Sequence, residues 1–270
     1  MISSHLKRWI TGIIAVPILF LLVIYGSDLV FTLFVAAVSL GGILEYNRLV
    51  FDERSRSEKV QTMLFAVLLP LAAYFKDTHL MLGVVTIGVL VFLVCYLLCK
   101  AWGGNFDLFS PAKVLLGTLY IPLLLSHIIL LRNGEKGVYW VFLIIVIAFA
   151  GDIAAFYIGR TYGRRKLAPL VSPGKTVEGI IGLLAGSVLG CVLYQYFVFP
   201  QVPLVHAVMM GFVGSLTGQM GDLFESTIKR SFGVKDSGMI LPGHGGILDR
   251  IDCLLFIIPF VYYYKTFVIT

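Results

Sequence analysis

Residues 79–99, HLMLGVVTIGVLVFLVCYLLC, contain no Asp, Glu, Lys or Arg. As a helix rising about 1.5 Å per residue, the segment is long enough for the ~30 Å hydrocarbon core of a bilayer. A helix crosses that core without stranding its backbone polar groups in lipid. Comparable runs recur at 9–26, 29–49, 61–76, 113–132, 138–159, 176–199, 203–229 and 247–268. They predict an all-α, polytopic integral membrane helix bundle of about nine transmembrane helices. Composition agrees: mean hydropathy is +0.94 and 13% of residues are charged, against about 25% in soluble proteins. The first run reaches Tyr25 with no small-residue cleavage site after it, which reads as a retained helix rather than a removed signal.

Charge is distributed by side. Of the 21 Lys and Arg residues, Lys76, Arg132, Lys136 and Lys265 flank one set of connections, and the remaining seventeen flank the other. The positive-inside rule then puts the N-terminus in the cytoplasm and the C-terminus outside. Topology accounts for the net charge of +6, so no nucleic-acid partner is expected. Cys95, Cys99, Cys191 and Cys253 lie in apolar segments without metal-site spacing and read as buried small hydrophobes. Residues 1–136 look like membrane scaffold helices. Residues 137–270 look like catalytic helices and cytoplasmic loops, the two parts forming one continuous membrane domain.

The chemistry-bearing residues follow position 150. Asp152, in IVIAFAGDIAAFYIG, falls well inside a span. An intramembrane carboxylate costs about 2.5–3.5 kcal/mol on insertion scales, so it is expected to face a bundle interior or a wet cavity. Ala148, Ala155 and Gly159 share its face. In GFVGSLTGQMGDLFESTIKR, Gly211, Gly214, Gly218 and Asp222 recur at helical spacing, and Glu225 and Ser226 continue that face. Asp249 and Asp252 are neighbours on the side of a last helix. Four such carboxylates need positive compensation. Mg²⁺, one ion or two, is the economical choice, since it takes carboxylates together with phosphate oxygens. Asp222 and Asp249 are the expected ligands, with Asp152 and Asp252 bound directly or one step removed. Internal ion pairs to Lys229, Arg230 or Arg250 are the competing explanation.

The cations indicate the cargo. Lys229, Arg230 and Lys235 precede the PGHGG turn, whose Gly245 and Gly246 let backbone N–H groups approach phosphate. His244, within that turn, is a candidate phosphate ligand or proton shuttle. The stretch PLVSPGKT has Pro169 where a P-loop needs Gly, and no strand is expected before it, so the nucleotide-loop reading is rejected. Ser172, Lys175 and Thr176 still stand at a helix N-terminus, where anions bind. Gly182, Gly186 and Gly190 form a close-packing face, within the chain or between copies of a homodimer.

The run from Ser226 to Asp252 resembles the signature of the phosphatidate cytidylyltransferases (CDP-diacylglycerol synthases). The shared positions are Ser226, Lys229, Arg230, Lys235, Asp236, Pro242, His244, Gly245, Gly246, Asp249, Arg250 and Asp252. Asp152, Tyr157, Gly159 and SPGKTVEG resemble the same family upstream, with Gly174 where the family often has Lys. The resemblance implies an Mg²⁺-dependent transfer of CMP from CTP to phosphatidate, giving CDP-diacylglycerol and pyrophosphate. It also implies an inner-membrane location, with the site facing the cytoplasm and open to membrane lipids. Within this reading Lys229, Arg230 and Lys235 neutralise the triphosphate, while Ser172, Lys175 and Arg250 hold the lipid phosphate. The alternatives are a CTP-dependent lipid-alcohol (polyprenol-type) kinase and an anionic-solute transporter.

Overall fold

The computed structural model describes residues 16–101, 109–238 and 245–269. The described chain is helical apart from one short hairpin, as the apolar runs require. In order the helices are α1 (Val16–Tyr25), α2 (Asp28–Val50), α3 (Arg56–Tyr74), α4 (Thr78–Ala101) and α5 (Phe109–Thr118). After a π-helical turn come α6 (Leu124–Arg132), α7 (Gly137–Tyr162), α8 (Val177–Phe197), α9 (Leu204–Ser231) and α10 (Leu248–Val268). Six segments are long and apolar enough to cross a bilayer: α2, most of α4, Phe109–Arg132 as a unit, α7, α8 and α10. The expected nine runs all correspond to helices, but three fall short of that standard among the described residues. The described part of α1 is too short, α3 opens on Arg56, Glu58 and Lys59, and α9 carries Asp222, Glu225, Lys229 and Arg230.

The chain divides into two compact units. The first holds the described residues up to Gly134 together with Asp236–Asp249. Its helices begin and end for local reasons. Ser27 caps α2 by accepting the Val30 N–H, with Asp28 in the first turn and Arg48 in the last, each matched to the helix dipole. Pro122 lacks an N–H, and the ladder widens there into the π turn Leu119–Leu123. Tyr46 is fully buried; its hydroxyl donates to the Lys113 carbonyl at 2.8 Å, and its ring fills the space left by Gly117. Arg132 donates to Asp28 at 2.6 Å and to the carbonyls of Val23 and Gly26, which ties the start of α2 to the end of α6. The segment Asp236–Asp249 belongs to this unit, although its sequence neighbours on both sides belong to the other.

The second unit comprises Glu135–Lys235 and Arg250–Thr270. Lipid tails are as apolar as leucine, so helices in a bilayer associate through close packing and hydrogen bonds rather than by escaping water. Here glycine supplies the closeness. Gly182, Gly186 and Gly190 face Ala154, Ala150 and Val146, so α8 lies against α7 within the chain. A methyl group at Gly186 would sit 2.7 Å from the Ala150 carbonyl oxygen. Ser187, buried in that seam, donates to the Ile147 carbonyl at 2.8 Å. On α9, Gly211 rests on the Val188 backbone, Gly214 on Ile147, Gly218 on Ile257 and Gly221 on Phe256. Between α7 and α8 the stretch expected to be a loop forms an antiparallel hairpin, β1 (Lys166–Ala168) and β2 (Ser172–Thr176). Glu178 anchors it by accepting the N–H groups of Arg164 and Arg165 at 3.0 and 3.2 Å.

Candidate active site

The glycine face of α9 delivers Asp222 to the second unit's interior, and the hairpin delivers Lys175. The two meet as an ion pair at 2.5 Å, Lys175 Nζ to Asp222 Oδ2, with the lysine side chain 19% exposed and the aspartate 36%. Ser226, one turn on, reaches Asp222 Oδ1 at 3.4 Å. Asp152 of α7 and Asp252 of α10 each lie within electrostatic range of Asp222, repelled by it and attracted to Lys175. Asp252 Oδ1 accepts the following backbone N–H at 2.7 Å. Asp252 is attracted to Lys229 as well as to Lys175.

A cavity of about 340 Å³ opens on this centre, lined by Asp152, Asp222, Lys175, Thr176, Gln219 and Arg160 among others. Gly159, Gly174 and Gly179 keep its wall bare of side chains. A second space of about 10 Å³, enough for roughly one water, is also lined by Asp152 and Asp222. Thr176 caps α8, accepting the Gly179 N–H at 3.1 Å, so its hydroxyl and the α8 N-terminus border the cavity together.

The remaining expected residues are placed as follows. Lys229 is turned back on the fully buried Glu225 as an ion pair one turn away. Arg230 donates to the carbonyls of Val171 and Val234, each at 3.2 Å, and so joins the hairpin to the end of α9. Lys235 and Arg250 are exposed, and Ser172 begins β2 half-buried. Asp249 belongs to the first unit. Its Oδ2 accepts the N–H groups of Ser237 and Gly246 at 3.0 and 2.9 Å, and Gly245 turns beside it with φ +84°. His244 lies outside the described residues. Asp152, Asp222, Asp252 and Lys175 are therefore brought together, and Lys229, paired with Glu225, also lies within electrostatic range of Asp252.

Two residues escaped the sequence reading. Arg160 lines the cavity from the last turn of α7, its guanidinium 5.9 Å from the centre of the Phe156 ring. Glu45, in α2, is completely buried. The criterion that singled out Asp152, a carboxylate inside an apolar run, applies equally to Glu45.

For a hard divalent cation the donor set fits. Asp152, Asp222 and Asp252 set three carboxylates against Lys175 and a Lys229 already paired with Glu225, and Asp152 and Asp222 both border the cavity. Among the described residues, no three His, Cys, Asp or Glu already surround a single point. An ion would complete its shell with water or a bound phosphate, as Mg²⁺ ordinarily does.

Fold and site define a polytopic helical membrane protein with a charged cavity among its helices. The chain belongs to the Cytidylyltransferase family, whose pattern matches residues 6–268. It is accordingly a nucleotidyltransferase. It is similar to a Bacillus subtilis protein named phosphatidate cytidylyltransferase, at 32% identity over 95% of this chain and 96% of that one. A Staphylococcus saprophyticus protein of the same name is 33% identical over 93% of this chain and 95% of its own.

Proposed function

We propose that the protein transfers CMP from CTP to phosphatidate, producing CDP-diacylglycerol and pyrophosphate for phospholipid synthesis. What carries the reading is agreement along nearly the whole chain with two proteins bearing that name. The site geometry supports it. An oxygen of the lipid phosphate attacks the α-phosphorus of CTP, and a new P–O bond forms. The bond from the α-phosphorus to the oxygen bridging the β-phosphate breaks, and its electron pair leaves with pyrophosphate. The nucleophile is already anionic, so no side chain has to accept a proton. The task is to let two polyanions approach, and prearranged positive charge in a water-poor site does that. Lys175 and Arg160 supply such charge at the cavity, and Thr176 adds a hydroxyl beside a helix N-terminus. Lys229, Arg230 and Lys235 serve the triphosphate, while Ser172 and Arg250 serve the lipid phosphate. Asp152, Asp222 and Asp252 would hold Mg²⁺, which when bound withdraws charge from the transferring phosphate. Asp249 is proposed as a further ligand from its place in the run 226–252. The uneven distribution of Lys and Arg supports a site that faces the cytoplasm at the cell membrane, where CTP is available.

The test uses purified Asp222→Asn and Asp249→Asn proteins with CTP and phosphatidate. Both are expected to fold and to lose CMP transfer roughly a hundredfold or more. Near-normal activity of both at saturating Mg²⁺ refutes the assignment. Release of CDP instead of pyrophosphate identifies a lipid kinase.

A further inference from the structure

The carboxylate of Glu45 performs a task that local sequence does not supply. It projects from α2 to the start of α10, some two hundred residues away. Oε1 accepts the Ile247 N–H at 2.9 Å, and Oε2 accepts the Leu248 N–H at 2.9 Å and the Ser237 hydroxyl at 3.0 Å. The first backbone N–H groups of a helix have no partner inside the helix, and here a side chain from a different helix satisfies two of them. Ser237 and Gly246 in turn donate their N–H groups to Asp249 Oδ2. Two carboxylates thus grip both ends of the stretch from 237 to 248, one from behind and one from within.

The space is built for this contact. Glu45 is 0% exposed and Ser237 4%. Gly41, one turn before Glu45, leaves room for Ile247, whose side chain would collide with a methyl group there. A methyl at Gly238 or Gly246 would strike the Glu45 carboxylate itself. Burying a full charge is costly, and fixing one geometry is the best-attested reason to retain a buried ionic group.

We propose that Glu45 is a positioning residue for nucleotidyl transfer, which clamps Ser237 to the first turn of α10 and thereby holds Asp249 in its working orientation. This rests on the cytidylyltransferase reading, and the test separates the two. Glu45→Gln, Gly246→Ala, the double variant and Ser237→Ala are purified in detergent. CMP transfer is measured with CTP and phosphatidate, and amide hydrogen exchange is followed by mass spectrometry without substrates. Glu45→Gln and Gly246→Ala are each expected to lower kcat about tenfold or more, as loss of a supporting contact does, with both KM values within about twofold. Exchange should accelerate at 237 and 246–248 while the rest of α2 keeps its protection. The double variant should be no more than about twofold worse than the poorer single one, because both changes break the same contact. Ser237→Ala removes one hydrogen bond and decides the matter if the other variants do not fold: a measurable loss of kcat with faster exchange at 246–248 supports the clamp. Unchanged kcat and unchanged exchange in the folded variants overturn it, as does exchange raised evenly throughout α2. Unmodified protein that transfers no CMP would sink the functional reading and, with it, a catalytic purpose for Glu45.

Discussion

Replacing Lys175 with Met should separate stability from activity in a way that the site's charge balance dictates. With Lys175 present, its ammonium pairs with Asp222 and attracts Asp152 and Asp252; without it, Asp222 loses its ion-pair partner, Asp152 faces Asp222 with less compensation, and Asp252 keeps the attraction of Lys229. At an effective dielectric of about 20, a pair at 2.5 Å has a raw attraction of roughly 6–7 kcal/mol. Desolvation and the partial exposure of Asp222 reduce the net loss to about 1–3 kcal/mol. Adding Asp222→Asn to Lys175→Met removes the repulsion that the first change exposed, so the double variant should recover at least half of that loss. Activity should not recover: CMP transfer falls roughly a hundredfold or more in both, since each lacks a cation aimed at the reacting phosphate. Thermal unfolding in detergent and a radiolabelled CTP assay measure the two quantities. Two results refute the reasoning. One is a Lys175→Met protein as stable as the parent that retains a third or more of its activity. The other is a double variant less stable than Lys175→Met alone.

Two further expectations concern the α7–α8 seam and the cavity. Gly186→Val forces a branched side chain against Ala154 and the Ala150 carbonyl, and should destabilise the protein by about 1–3 kcal/mol, read as a lower unfolding temperature in detergent. Arg160→Gln removes a cavity cation without altering that seam; it should leave the unfolding temperature within a degree or two of the parent and raise KM for an anionic substrate several-fold, measured in the same CMP-transfer assay.

The helices were legible because a bilayer leaves the backbone no alternative, and the apolar runs coincide with helices to within a few residues at most ends. The hairpin at 166–176 was not, since its Gly, Pro and Lys residues carry no alternating pattern and its register depends on Glu178 holding Arg164 and Arg165. The meeting of Asp152, Asp222 and Asp252 was legible from carboxylates recurring inside apolar runs. That Lys175 pairs with Asp222 and Lys229 with Glu225 was not, because pairing depends on where a hairpin folds back and which rotamer a buried lysine takes. Glu45 stands inside an apolar run as Asp152 does, but its task was not legible there. Its partners at Ser237, Ile247 and Leu248 lie far along the chain, and no local spacing announces them.

The seam between α7 and α8 limits how the centre can move. At Gly186 and Gly190 glycine meets alanine almost main chain to main chain, which leaves little room there to accommodate slippage. Sliding one past the other by a single residue would drive methyl groups into carbonyl oxygens along the whole length. The pair therefore behaves as a rigid plate. Any opening of the centre has to come along some other edge, by swinging or unpeeling a neighbour rather than by shear within this pair.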